Sequence, residues 1–242
     1  MKFIRIPLIL LVFVLLSGCS YSMLIGSGVL TNDTRDSSGF TAITLEDCGE
    51  LDIVQGTVDS LTIQAEDNLM PFIESEVKDS RLTLGLRPNY QVNSIQNTLP
   101  VKYFVSVKNL NEVVLDGSGK IITHGISTGD LKVVEDGAGS IQLDQLKAKE
   151  LTLYLNGKGT TQVSGQVDQQ MVVVGGPGKY VGDNLDSSFA SVDVDGSGAA
   201  TVWVRDALNV LLNGSGSTHY FGHPTVHVDN IGDGVVEAMG MK

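Results

Sequence analysis

Apolar and polar side chains alternate along most of this chain. Runs such as Leu131-Lys-Val133, Ile141-Gln-Leu143, Leu151-Thr-Leu153 and Thr161-Gln-Val163 keep a period of two. That period, with β-branched residues and flanking Gly, Asp and Asn, predicts half-buried strands. Residues 40–45, 51–54, 61–65, 81–86 and 101–105 follow the same rule. One stretch departs from it. Leu69, Phe72, Ile73 and Val77 recur at steps of three and four behind Asp67 and Asn68, either of which can cap a helix. A short helix inserted near residues 67–78 is therefore expected. The polar tract Asn89–Asn97 reads as a loop.

A second, longer period sits on top of the first. Asp116-Gly117-Ser118-Gly119, Asp136-Gly137-Ala138-Gly139, Asn156-Gly157-Lys158-Gly159, Gly175-Gly176-Pro177-Gly178, Asp195-Gly196-Ser197-Gly198, Asn213-Gly214-Ser215-Gly216 and Ile231-Gly232-Asp233-Gly234 share one frame. Each recurrence is about 18–20 residues after the last, enough for two or three short strands and their corners. Such a unit cannot bury its apolar face alone, so units stack, each strand pairing with its copies above and below at about 4.8 Å. The fold expected is all-β, a parallel β-helix or β-solenoid. The glycines are expected to supply positive φ at sharp corners, with the preceding Asp or Asn bonding the turn backbone. Asp116, Asp136, Asn156, Asp195 and Asn213 then form a ladder along one edge. Adjacent aspartates about 5 Å apart repel by nearly 1 kcal/mol even at the dielectric of water, so they must face solvent, bond to N–H groups or share a cation. Gly175 and Ile231 stand where the Asx is missing.

The N-terminus changes the picture. Lys2 and Arg5 precede an apolar run from Ile6 to Leu16, followed by Ser17-Gly18-Cys19. About ten apolar residues are too few to span a bilayer core, so this is a secretory signal. Small residues directly before a cysteine resemble the lipobox of bacterial lipoproteins, which implies a lipid (palmitate among its acyl chains) on Cys19 and a firm membrane anchor. Ser20 in the next position points to the outer membrane. The absence of an acidic cluster after Cys19 favours the periplasmic face over the cell surface. The divisions expected are a signal peptide at 1–18, a lipidated flexible tether at 19–36, first coils with a helical insertion at 37–109, and repetitive coils at 110–242.

Removing Lys2 and Arg5 takes the formal charge from −12 to −14. A body this acidic repels nucleic acid and anionic headgroups, which excludes nucleic-acid binding. With Cys19 used for lipid, Cys48 has no disulfide partner. Its setting, Glu46-Asp47-Cys48-Gly49-Glu50, is acidic and turn-like, and does not favour the thiolate.

The segments Phe40-x-x-Ile43-x-Leu45, Leu51-x-Ile53-Val54-Gln55-Gly56, Ala65-Glu66-Asp67-Asn68-Leu69 and Val77-Lys-Asp-Ser-Arg-Leu82-Thr-Leu84, followed by repeated Asx-Gly-Ser-Gly units, resemble the head GIN domain family over residues 39–238. Its members are described as auto-transporter adhesins. The resemblance implies a β-helical domain on exported, often lipid-anchored bacterial proteins, and carries no catalytic residues across.

Other chemistry is weighed against this. Parallel β-helices also host polysaccharide-cleaving enzymes, for which Trp203, Arg205, Asp193 and Asp195 are the nearest candidates. The hexapeptide acyltransferase helix needs an aliphatic residue at every sixth position, and Ile121, Ile126 and Leu131 do not keep that step. Calcium-binding nonapeptide coils place the acid after Gly-x-Gly, whereas here it comes before. His219, His223 and His227, spaced by four, offer imidazoles to a metal if two successive strands bring them together. No cofactor is implied. The expected function is a non-enzymatic, lipid-anchored envelope protein offering a binding, adhesion or structural surface to a glycan or an envelope protein. The alternatives are a carbohydrate-active enzyme using acidic residues on one face, and a self-assembling envelope module.

Overall fold

A computed structural model describes residues 23–87 and 94–242. The signal segment and Cys19 lie outside the described residues, as does most of the polar tract after Pro88. In chain order the first strands are β1 (Met23–Ile25), β2 (Leu30–Arg35), β3 (Ala42–Leu45), β4 (Glu50–Gln55), β5 (Ser60–Glu66), β6 (Ile73–Lys78), β7 (Arg81–Leu86), β8 (Ser94–Gln96) and β9 (Lys102–Val107). The second group is β10 (Glu112–Leu115), β11 (Lys120–His124), β12 (Asp130–Glu135), β13 (Ser140–Leu155), β14 (Thr160–Val174), β15 (Lys179–Val194), β16 (Ala199–Leu212), β17 (Ser217–Phe221), β18 (Thr225–Asn230) and β19 (Val235–Ala238).

From β10 onward the chain is a parallel β-solenoid. Glu112 pairs with Lys132, Lys132 with Thr152, Thr152 with Met171, Met171 with Ser191, Ser191 with Asn209 and Asn209 with His227. The 18–20-residue period is thus the rise of one rung. Strands before the Asx-Gly corner form one face, which we call face A, and strands after it form face B. In β13 to β16 a single strand bends round the remaining side without a break.

Alternation decides what is buried. Ile43, Val113, Val133, Leu153, Val172, Val192 and Val210 stack in one inward column, each no more than 3% exposed. Burying each such side chain contributes about 1.5–3 kcal/mol. One chain of polar core groups is bonded through three successive rungs. Tyr180 Oη donates to Gln170 Oε1 at 2.9 Å, Gln170 Nε2 to Ser187 Oγ at 2.8 Å, and Ser187 Oγ to the Trp203 carbonyl at 2.8 Å.

The first hundred residues hold a different arrangement. β3 and β4 form a rung beneath β10 and β11, and β7 and β9 lie parallel beneath them in turn. Beyond that the pairing reverses: β5 is antiparallel to β9 and to β2, and β6 is antiparallel to β7. These reversed strands cap the solenoid. Two expectations are corrected here. Residues 67–78 are not a helix: a single 3-10 turn, Met70–Phe72, leads into strand β6. Pro71 sits at the start of that turn, and β6 joins β7 through Asp79 and Ser80, both left-handed at φ 49° and 61°, so edge pairing overrides the apolar spacing. Nor are residues 23–35 a loose tether, because β1 pairs with β8 and β2 with β5.

Candidate functional site

The corners are built as a column, but for a different reason from the one expected. None of Gly117, Gly119, Gly137, Gly139, Gly157, Gly159, Gly196, Gly198, Gly214 and Gly216 has positive φ. Left-handed backbone occurs at another corner of the coil, at Gly125, Gln145, Gly165 and Gly222. What the repeated glycines allow is close stacking. A Cβ on Gly137 would lie within 3.0 Å of the Gly117 carbonyl, one on Gly157 would meet Gly137, and one on Gly214 would meet Gly196. Backbone bonds run straight up this edge, from Asp116 N–H to Leu45 O, Asp136 to Leu115, Asn156 to Glu135, Asp195 to Val174 and Asn213 to Val194, at 2.9–3.0 Å.

The Asx ladder relieves part of its own charge problem. Asn156 Nδ2 donates to Asp136 Oδ1 at 2.6 Å, and Asn213 Nδ2 to Asp195 Oδ1 at 2.7 Å. Asp116 and Asp136 remain adjacent like charges, and both are exposed to solvent. Asp47, Cys48 and Gly49 form the equivalent corner of the first rung, since Lys120 N–H reaches Gly49 O as Ser140 N–H reaches Gly119 O. Cys48 is an exposed thiol on that corner.

The other candidate residues are not brought together. His219 lies on β17 with Nε2 3.7 Å from Glu237, His227 lies on β18 with Nε2 3.6 Å from Asp229, and His223 is in the loop between them. Among the described residues no group of three or more His, Cys, Asp or Glu side chains is placed to hold a metal ion. The three histidines fail to converge because β17 and β18 stack on different stretches of β16, Ala199–Trp203 and Ala207–Leu212. Arg205 pairs with Asp186 at 3.2 Å rather than with Asp193 or Asp195.

Face A carries the feature best suited to holding a ligand. A groove of about 510 Å³ is lined by Asn111, Glu112, Thr128, Asp130, Lys132, Thr152 and Tyr154. A second hollow of about 230 Å³ lies further along the same strands, lined by Glu150, Gln169, Met171, Phe189, Ser191 and Asn209. The two are continuous in register, because Asp130, Glu150, Gln169 and Phe189 occupy one column and Lys132, Thr152, Met171, Ser191 and Asn209 the next. Phe189 is 48% exposed and Met171 39%. Lys132 Nζ stands 6.0 Å from the Tyr154 ring centroid and 3.1 Å from Glu112, which also accepts from Arg81. Burial works against ionisation of Glu112, but hydrogen bonds and charge from Lys132 and Arg81 outweigh it and lower its pKa. Asp193 shows the opposite balance: burial, then the nearby Asp195, raises it. Neither Tyr154 nor Phe189 was singled out by periodicity. The signal is present in the aligned repeats, where Phe189 falls in a column otherwise holding Asp130, Glu150, Gln169, Ala207 and Thr225.

The family model described as "Putative auto-transporter adhesin, head GIN domain" matches residues 39–224. No curated protein is similar to the chain in sequence. Among solved structures, a "putative adhesin" from Bacteroides fragilis is similar at 22% identity, covering 89% of this chain and 100% of its own, with a TM-score of 0.83. A "putative lipid binding protein" from Parabacteroides distasonis is 20% identical over 90% of this chain and 100% of its own, at a TM-score of 0.72. A "putative adhesin" from Parabacteroides merdae is 20% identical over 90% of this chain and 99% of its own, at 0.69. At these identities the likeness concerns the fold.

Proposed function

Because this chain belongs to the head GIN domain family, we propose that it is a non-enzymatic binding protein of the cell envelope, anchored by lipid on Cys19 to the outer membrane with its body on the periplasmic side. Family and structural names that speak of adhesins support binding rather than catalysis. The lipobox-like Ser17-Gly18-Cys19 and the following Ser20 support the anchor and its membrane.

The observation that carries the reading is the pair of neighbouring hollows on face A. Their walls combine two aromatic rings, Tyr154 in one and Phe189 in the other, with the amides and hydroxyls of Asn111, Thr152, Gln169, Ser191 and Asn209. Aromatic faces take the apolar side of a pyranose and amides its hydroxyls. Rungs about 4.8 Å apart place successive side chains of one column, the polar Thr152, Ser191 and Asn209 among them, at steps near the length of one sugar unit. The acidic body disfavours a polyanion. The ligand we propose is accordingly an extended, weakly charged envelope glycan.

Two measurements test this. With a palmitate-analogue label, the full-length protein takes up label and the Cys19→Ala variant does not. In co-sedimentation with purified peptidoglycan sacculi, the chain from residue 20 is retained. Replacing both Tyr154 and Phe189 by Ala lowers that affinity by about tenfold or more, given the weight of buried aromatic contacts, without changing the melting temperature. Equal retention of the double variant, or none of the wild type, defeats the groove assignment.

A further inference from the structure

The two ends of the solenoid are finished differently. At the N-terminal end the outermost strands are β2 and β6, both studded with charge: Asp33 and Arg35 on β2, Glu74, Glu76 and Lys78 on β6. Charged edge strands resist further pairing. At the other end the last rung is β18 and β19, and among the described residues nothing lies over it. Val228 continues the inward column of Val210 and Val192, yet is 41% exposed. Five of the fifteen exposed large apolar side chains fall here: Val228, Ile231, Val235, Met239 and Met241.

Backbone parity shows what fits this edge. Ile231 N–H donates to Leu212 O at 2.8 Å, toward the rung below. Alternation along a strand then turns the odd-numbered positions of β18 inward to β16, and leaves the N–H and C=O of Val226, Val228 and Asn230 aimed off the end. An antiparallel copy of β18 centred on Val228 satisfies all of them. Val228 exchanges bonds with its own counterpart, and Val226 exchanges bonds with Asn230, giving about six backbone hydrogen bonds across the two-fold axis. In the same register His227 of each copy lies directly opposite Asp229 of the other. Both side chains are exposed and already within 3.6 Å of one another in a single strand. The strand is therefore complementary to itself in bonding, in apolar contact and in charge.

We propose that the protein forms a closed dimer through its last rung, β18 pairing antiparallel with β18 of a second copy. Growth beyond two is blocked, since the opposite end of each copy is capped.

Sedimentation velocity on the chain from residue 20, which holds every described strand, tests this at pH 6 and physiological salt. The expected result is a monomer–dimer equilibrium with no larger species. Val228→Pro removes the central N–H, at an edge position where proline is tolerated, and gives a monomer with an unchanged melting temperature. His227→Asp places like charges opposite each other and weakens the dimer by about tenfold. Adding Asp229→His to that variant restores pairing to within about threefold. A wild-type monomer at 100 μM, a dimer that survives Val228→Pro, or a series of growing oligomers would each overturn the proposal.

Discussion

The cap and the coils each bury a glutamate, and the two are treated in opposite ways. Glu66, at the end of β5 in the cap, is 1% exposed and surrounded by donors. It accepts from Gly28 N–H at 2.7 Å, Thr98 N–H at 2.8 Å, Leu99 N–H at 3.2 Å and Thr98 Oγ1 at 2.5 Å. Burial alone would raise its pKa, but these bonds bring it down to about 2. Glu135, in the coils, is 0% exposed and its two carboxylate oxygens have no hydrogen-bond partner. It occupies a column that otherwise holds Leu45, Leu115, Leu155, Val174, Val194 and Leu212. Burial raises its pKa to about 7; the nearby N–H groups of Gly159, Gly137 and Gly139 pull it down without closing a hydrogen bond, and Asp136 pushes it up further. The contrast teaches how the two regions are held. The cap is assembled from individually matched polar contacts, which tie β1, β2 and the segment before β9 together. The coils rest on repetition, where a group that departs from its column is bonded only if a neighbouring rung supplies a partner, as happens for Gln170 and not for Glu135.

If stacking at the corners dominates the coils, the largest effect should come from filling the glycine column. Gly137→Ala pushes a methyl into the Gly117 carbonyl, and should destabilise by about 4 kcal/mol, lowering the melting temperature by about 8–16 °C. Gly129→Ala, with open space around its Cα, should stay within about 0.5 kcal/mol. Equal melting temperatures would dissolve the distinction between a packed corner and an ordinary loop. Next comes the cap: Glu66→Ala leaves three backbone N–H groups without their acceptor and should cost about 3 kcal/mol. Its folded pKa lies below the ordinary 4.5, so the stability it contributes is complete above about pH 4.5 and disappears as pH falls towards 2. Urea melts of wild type and variant should therefore converge in acid.

Glu135 should give the smallest effect of the three, with the opposite sign. Glu135→Leu restores the column and should stabilise by about 2 kcal/mol at pH 7.5. Here the folded pKa lies above the ordinary value. Wild-type stability should decline relative to the variant as pH rises from about 4.5 to 7, then level off, because the unfolded chain gives up its proton first. A stability difference that does not vary with pH would show that this carboxyl finds a partner after all.

How far the fold could be read from residues alone differs along the same divide. In the coils each rung repeats the last, so spacing and alternation together place strands, columns and corners. The purpose of the corner glycines is not legible there, because a collision with the rung below involves a residue about twenty positions away and leaves no local mark. In the cap, partners differ from strand to strand. Leu69, Phe72, Ile73 and Val77 happen to keep helical spacing, and the β6–β7 turn uses Asp79 and Ser80 rather than the Asn-Gly or Asp-Gly pair that usually signals a hairpin. The hollows on face A leave no sequence mark because Tyr154 and Phe189 sit at ordinary outward positions. Only strand register shows that the two hollows they line share a face.

The bare glycine column has a bearing on how such a molecule changes length. Each corner meets only the corners directly above and below, through backbone atoms that are the same in every repeat, so no corner recognises its own number in the series. Excising residues 137–156 would join Asp136 to Gly157 at an equivalent point, shorten the shaft by a single storey and leave both extremities as they are. Gain or loss of whole repeats can therefore set how long the body is, with no compensating change elsewhere.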